Sequence, residues 1–193
     1  MRKTLSVQLA VLLFISTIST ANAQLSKLVT PPSAFSENLS KVAQAFQNNY
    51  YQIQAEQLPS QEDMDVYKSS ISLPGAQHCV IYRFHSKTDT TASWQALMYD
   101  GENYKEALKA YKNSCKMVDR CRVTLSNGTS ASFSGKMEEP DANLRFSSTS
   151  YKLNTKETVY EKFYAEVELL NTGIDSWEVH VSLQSKKEDD EEK

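Results

Sequence analysis

The chain has 193 residues, 40% of them hydrophobic, with 21 Lys and Arg against 24 Asp and Glu and a formal net charge of −3. That length supplies enough apolar side chain for a sizeable core. The mixed, slightly acidic charge excludes a nucleic-acid binder, which needs clustered Lys and Arg to meet phosphates.

Residues 1–23 read as a secretory signal peptide. Arg2 and Lys3 make a positive start, an apolar run follows from Leu5 to Ile18, and Ala21 and Ala23 stand where a signal peptidase reads. Cleavage near Ala23-Gln24 is expected; it removes two cations and no acid, taking the net charge from −3 to −5. The run is too short and too rich in hydroxyls for a comfortable membrane span, and no later apolar run approaches one. No Cys adjoins the cleavage point to carry a lipid. The expectation is a soluble, secreted or periplasmic protein with no membrane span.

Residues 24–32 form a linker ending in Pro31-Pro32. A helix then starts with Ser33 or Ser36 as its N-cap. Its apolar stripe is Phe35, Leu39, Val42, Phe46, Tyr50 and Ile53, and Leu58-Pro59 closes it. Three strand-like runs follow over 66–73, 78–86 and 93–99, separated by Pro74-Gly75 and by a polar turn over 86–91. A second helix opens at Asn103, whose spacing to Glu106 makes a capping box, and its stripe is Tyr104, Ala107, Leu108, Tyr111, Cys115 and Val118. Asn127-Gly128 marks a hairpin over 121–137. A three-residue turn there sets Val123 against Ala131 and gives one coherent apolar face. Strands over 143–153, 158–170 and 176–184 complete the domain (24–185), and 186–193 reads as a charged, disordered tail.

The three cysteines are Cys79, Cys115 and Cys121. An exported compartment permits disulfides, and the short separation of Cys115 and Cys121 makes that pair the expected bridge, with two buried free thiols as the alternative. Cys79 reads as a small apolar strand residue.

Two regions resemble each other. Ser93-Trp94 recurs as Ser176-Trp177, and the same offset lays Val80, Tyr82 and Phe84 on Phe163, Ala165 and Val167. They read either as a duplicated α-β-β-β unit or as two amphipathic stretches that happen to look alike. In the last hairpin, Val159, Phe163, Ala165, Val167 and Leu169 face inward with Trp177, Val179, Val181 and Leu183. Tyr160, Tyr164, Glu166 and Glu168 face outward with Glu178, His180 and Ser182. The same register applied to the first copy turns Cys79, Ile81, Leu97 and Tyr99 outward, an apolar second face that something must cover.

No nucleophile elbow, phosphate-binding loop, zinc-protease motif or paired-cysteine motif is present. The sharpest cluster is Glu166, Glu168, Glu178 and His180, which a two-stranded pair would hold within about 5–8 Å. A solvated polar face explains that cluster more simply than a metal ion does, so no metal and no cofactor are expected. Tyr160 and Tyr164 are the outward aromatics that could grip an extended peptide or a sugar. Asn38-Leu39-Ser40 and Asn127-Gly128-Thr129 match the glycosylation sequon and are read as chance.

The order of elements implies an α+β domain, an antiparallel sheet of about six to eight strands with two amphipathic helices on one face. By element order alone it is similar to small secretion chaperones and to the cone-shaped NTF2-like fold, and no motif ties it to either. The expected function is a non-catalytic binding or protein-interaction module of the cell envelope. Its candidate surfaces are Tyr160, Tyr164, Glu166, Glu168, Glu178 and His180, and the apolar set Ile81, Leu97 and Tyr99. The alternative is a small-molecule pocket protein or weak enzyme with its ligand between sheet and helices.

Overall fold

The computed structural model describes residues 33–60, 63–85, 91–141, 143–173 and 176–185. The signal peptide, its cleavage point, the linker, most of the 86–91 turn and the charged tail lie outside the described residues.

Helix α1 (Ser33–Phe46) buries Phe35, Leu39 and Val42 of the stripe its periodicity predicts, with Ala43 and Ala45 buried beside them. The stripe continues in sequence to Ile53, but the helix stops at Phe46. Asn49 and Tyr50 take left-handed backbone angles, φ 51° and 62°, and turn the chain. Contacts distant in sequence hold this corner. Arg83 Nη2 donates to Asn49 O at 2.7 Å, and Ala92 N donates to Asn49 Oδ1 at 2.6 Å. Tyr50 is fully buried, and its hydroxyl donates to Leu183 O at 2.8 Å. One 3-10 turn (Tyr51–Ile53) then leads into β1 (Gln54–Gln57), a strand where sequence periodicity predicts helix.

The remaining elements are β2 (Met64–Ser69), β3 (His78–Phe84), β4 (Ser93–Gly101), α2 (Tyr104–Arg120), β5 (Arg122–Thr124), β6 (Ser130–Ser134), β7 (Phe146–Asn154), β8 (Phe163–Asn171) and β9 (Trp177–Ser185). Together the strands form one antiparallel sheet in the order β1-β2-β3-β4-β9-β8-β7-β6-β5. The architecture is α+β as expected, with nine described strands rather than six to eight, because β1 forms where the apolar periodicity predicts helix.

Helix α2 begins at the expected cap: Asn103 Oδ1 accepts from the backbone N–H groups of Lys105 and Glu106. The β5–β6 hairpin has the three-residue loop that its apolar pattern requires. Val123 pairs with Ala131, Leu125 N donates to Thr129 O, and Gly128 supplies the positive φ of 81° that closes the turn.

A single core joins the buried faces of both helices to one face of the sheet. It includes Leu39 and Val42 of α1, Tyr111 and Cys115 of α2, Trp94 and Ala96 of β4, and Val167 and Val181 of β8 and β9. Helix α1 also covers the β5 edge, where Ser40 Oγ accepts from Thr124 N and Gln44 Nε2 donates to Thr124 O. Those bonds satisfy peptide groups that an open edge strand would leave for another chain.

Three expectations are corrected here. All three thiols are free and buried, so no Cys115–Cys121 disulfide forms. Cys115 lies within α2 and Cys121 immediately follows it, and six residues of helix separate their Cα atoms by about 9 Å of rise, beyond a disulfide's reach. Cys115 instead lies among Tyr111, Tyr151 and Thr149, while Cys121 Sγ meets Ser36 Oγ at 3.4 Å. Second, β3 faces the other way from its expected parity. Ile81 pairs with Trp94 and Cys79 with Ala96, all four in the core, so Val80, Tyr82 and Phe84 take the opposite face. Third, Tyr160 is in a 3-10 turn (Thr158–Tyr160) rather than a strand; it is buried with its hydroxyl on Ala43 O at 3.2 Å, and Val159 is exposed instead.

Candidate functional site

The sheet face turned away from the helices carries the ionisable cluster. Alternation along β8 and β9 sends Val167, Leu169, Val179 and Val181 into the core and leaves Tyr164, Glu166, Glu168, Glu178, His180 and Ser182 on the other side. Cross-strand pairing arranges them in rows. One row runs Val80, Gln95, Ser182, Glu166, Ser150 across five strands; the next runs His78, Leu97, His180, Glu168, Ser148.

These side chains are half-buried and connected. His180 Nε2 and Glu178 Oε2 are 2.7 Å apart, with the His180 side chain only 14% exposed. Gln184 Nε2 donates to Glu166 Oε2 at 2.8 Å. Gln95 bridges two strands, donating to Ser182 Oγ at 3.2 Å and accepting from the Tyr82 hydroxyl at 3.2 Å. Burial pushes the Glu168 carboxyl up to about 7, and the Glu166 charge two residues away adds to the effect. Tyr164 is raised by burial and then by Glu166 and Glu168, and Tyr82 by burial and then by Glu178. The face therefore presents carboxyl groups that would gain from a cation or a hydrogen-bond donor. Among the described residues no three His, Cys, Asp or Glu side chains are grouped as a metal ion requires.

The structure thus brings together Tyr164, Glu166, Glu168, Glu178 and His180. It does not add Tyr160, which is buried against Phe46 and Phe163 on the helix side. Nor does it assemble the apolar set as one face. Ile81 is fully buried on the helix side, and a bulge between Leu97 and Tyr99 sets Tyr99 opposite core residue Val179. Only Leu97 lies on the open face, beside His180. Tyr82 and Gln95 belong to the site although the expected face of β3 had excluded the link they make; their signal lies in the β3–β4 register, which neither strand reveals alone.

Other surface hollows lie among the described residues away from this face. One of about 130 Å³ is lined by Cys115, Lys116, Asp119, Gly135, Met137 and Tyr151, but burial pushes the Cys115 thiol up, away from the thiolate that chemistry needs. Another, of about 300 Å³, lies beside the β5–β6 turn and is lined by polar residues including Asn127, Thr129 and Glu157.

No helix among the described residues is long and apolar enough to cross a membrane. In comparisons with known proteins, no family, no curated protein and no solved structure matches this chain.

Proposed function

We propose that the chain is exported, loses residues 1–23, and serves as a non-catalytic binding or protein-interaction module of the cell envelope through the open face of its sheet. The supporting observation is the contrast between the two faces. The helix side is filled by large buried side chains, among them Trp94, Tyr50, Tyr111, Tyr151, Tyr160, Phe35 and Phe163, which argues against a ligand held between sheet and helices. The open side keeps Tyr164, Glu166, Glu168, Glu178 and His180 half-buried in cross-strand rows, an arrangement that suits a partner supplying donors or positive charge.

The test is cross-linked affinity capture of the tagged protein from its own envelope fraction, with mass measurement of its N-terminus in the same fraction. A partner captured by the parent and by Lys109→Glu, an exposed change on α2, but lost in Glu168→Lys supports the reading. Recovery of background proteins alone, or capture indifferent to Glu168→Lys, defeats it. An intact residue 1–23 segment would defeat the export step.

The strand order also supports reading the fold as a duplicated helix-plus-meander unit. Each helix precedes an antiparallel run, and the final strands of the two runs, β4 and β9, meet at the centre of the sheet. The Ser-Trp offset itself does not extend to β3 and β8, because Val80 and Phe163 occupy opposite faces.

A further inference from the structure

We propose that Asn127 is a site of spontaneous covalent modification, succinimide formation followed by hydrolysis, and that the folded β5–β6 hairpin holds it unreactive. Asn127 precedes Gly128, which has no side chain to shield its backbone nitrogen. Both residues are exposed, and nothing lies within 4 Å of where a Gly128 Cβ would stand. Water and the leaving group have free access.

The chemistry balances within the chain and water. The Gly128 nitrogen bonds to Asn127 Cγ as the Cγ–Nδ2 bond breaks, and the amide departs as ammonia with the proton that Gly128 N–H gives up. Water then opens the ring at either carbonyl, leaving aspartate or isoaspartate.

The fold opposes the first step at both reacting groups. Gly128 N–H donates to Leu125 O at 2.9 Å, so the nucleophile is engaged in closing the turn. Asn127 Oδ1 accepts from Thr129 N at 2.8 Å and from Thr129 Oγ1 at 2.7 Å, which fixes the side chain in an Asx turn. Attack on Cγ must withdraw Gly128 N–H from Leu125 O and turn the Asn127 amide away from Thr129, which opens the turn. Modification therefore proceeds from the opened hairpin.

The two products differ in consequence. Aspartate can accept the same bonds from Thr129. Isoaspartate inserts a methylene into the main chain of a three-residue loop whose length sets Val123 opposite Ala131. Strand β5 is also the one that α1 grips through Ser40 and Gln44, so isoaspartate at this position loosens both the sheet edge and the helix on it.

The full chain, incubated at mildly alkaline pH with and without denaturing urea, is digested and the peptide spanning 123–131 followed by mass spectrometry that separates aspartate from isoaspartate. Conversion is expected to be roughly tenfold or more faster in urea, because hydrogen bonds guard both reacting groups in the native hairpin. Thr129→Val, which deletes the hydroxyl donor and keeps the N–H, is expected to raise the native rate about threefold. Asn127→Gln abolishes the product in both conditions. Equal or faster conversion in the native chain overturns the gate, and no conversion in urea overturns the site. A folded Thr129→Val chain with an unchanged rate overturns the Asx lock; the comparison of native and denatured parent decides the gate even if that variant does not fold.

Discussion

Glu168 and Tyr50 show how single side chains couple the two faces of this sheet to its stability. The Glu168 carboxyl is raised from 4.5 to about 7 in the folded chain by burial first and by the Glu166 charge second. An acid raised on folding binds its proton more tightly in the native state, so its ionised form destabilises the fold. The cost is absent below 4.5, grows between 4.5 and about 7, and is complete above that, so this group's contribution falls as pH rises. Glu168→Gln is expected to gain about 1–2 kcal/mol at pH 8, discounted for solvent screening of a partly exposed group, and nothing at pH 4. Urea melts at the two pH values check it, and an equal gain at both would contradict the linkage. Tyr50 acts on the other face. Its hydroxyl reaches Leu183 O across the core while its backbone holds a left-handed angle. Tyr50→Phe keeps the ring and is expected to cost about 1–3 kcal/mol through the lost buried bond, read as a lower urea midpoint with unchanged slope.

At the scale of elements, legibility in the sequence depended on how local the cause was. Helix α2 is legible because its cap and stripe are neighbours in sequence, Asn103 with Glu106 and Ala107 through Val118. The β5–β6 turn is legible because only a three-residue loop puts Val123 opposite Ala131. The end of α1 is not, since Tyr50 and Ile53 continue a helical stripe that Arg83, Ala92 and Leu183 override from afar. Nor is the role of α1 at the sheet edge. Ser40 and Gln44 look like polar helix residues, yet they saturate both peptide groups of Thr124. The double variant Ser40→Ala with Gln44→Ala is expected to lose about 2 kcal/mol and, with β5 uncovered, to self-associate. Denaturation and sedimentation measure the two effects separately; a stable, strictly unchanged assembly state would remove the edge-covering role.

On the scale of the whole molecule, the two halves of the chain are interlocked rather than side by side. Helix α1 belongs to the first half in sequence but packs on β5, and Tyr50 and Ala43 bond to Leu183 and Tyr160 of the second half. Helix α2 in turn packs on β4 as well as on β8 and β9. Each half alone would expose the core face that the other covers. Separate fragments 24–102 and 103–193 are therefore expected to be largely unfolded and to recover native circular dichroism when mixed. A fragment that unfolds cooperatively by itself would show that the core is divisible.

The open sheet face shows the same division between what is local and what is not. The sequence by itself determined that β8 and β9 alternate, and hence that Tyr164, Glu166, Glu168, Glu178 and His180 share a side, because a strand's period of two is a property of its own backbone. It also determined the α+β class, since two helical stripes and a series of alternating strands have few ways to bury their apolar faces together. Only the tertiary structure decided that Ile81 belongs to the core and Tyr99 packs against it, that Tyr82 joins the polar face through Gln95, that Tyr160 is internal, and that Cys115 and Cys121 stay apart. Parity states which residues go together but not which way they point. That direction is set by pairing register, by the bulge after Leu97 and by the turn at Thr158–Tyr160, each of which reverses a face by a shift of one residue.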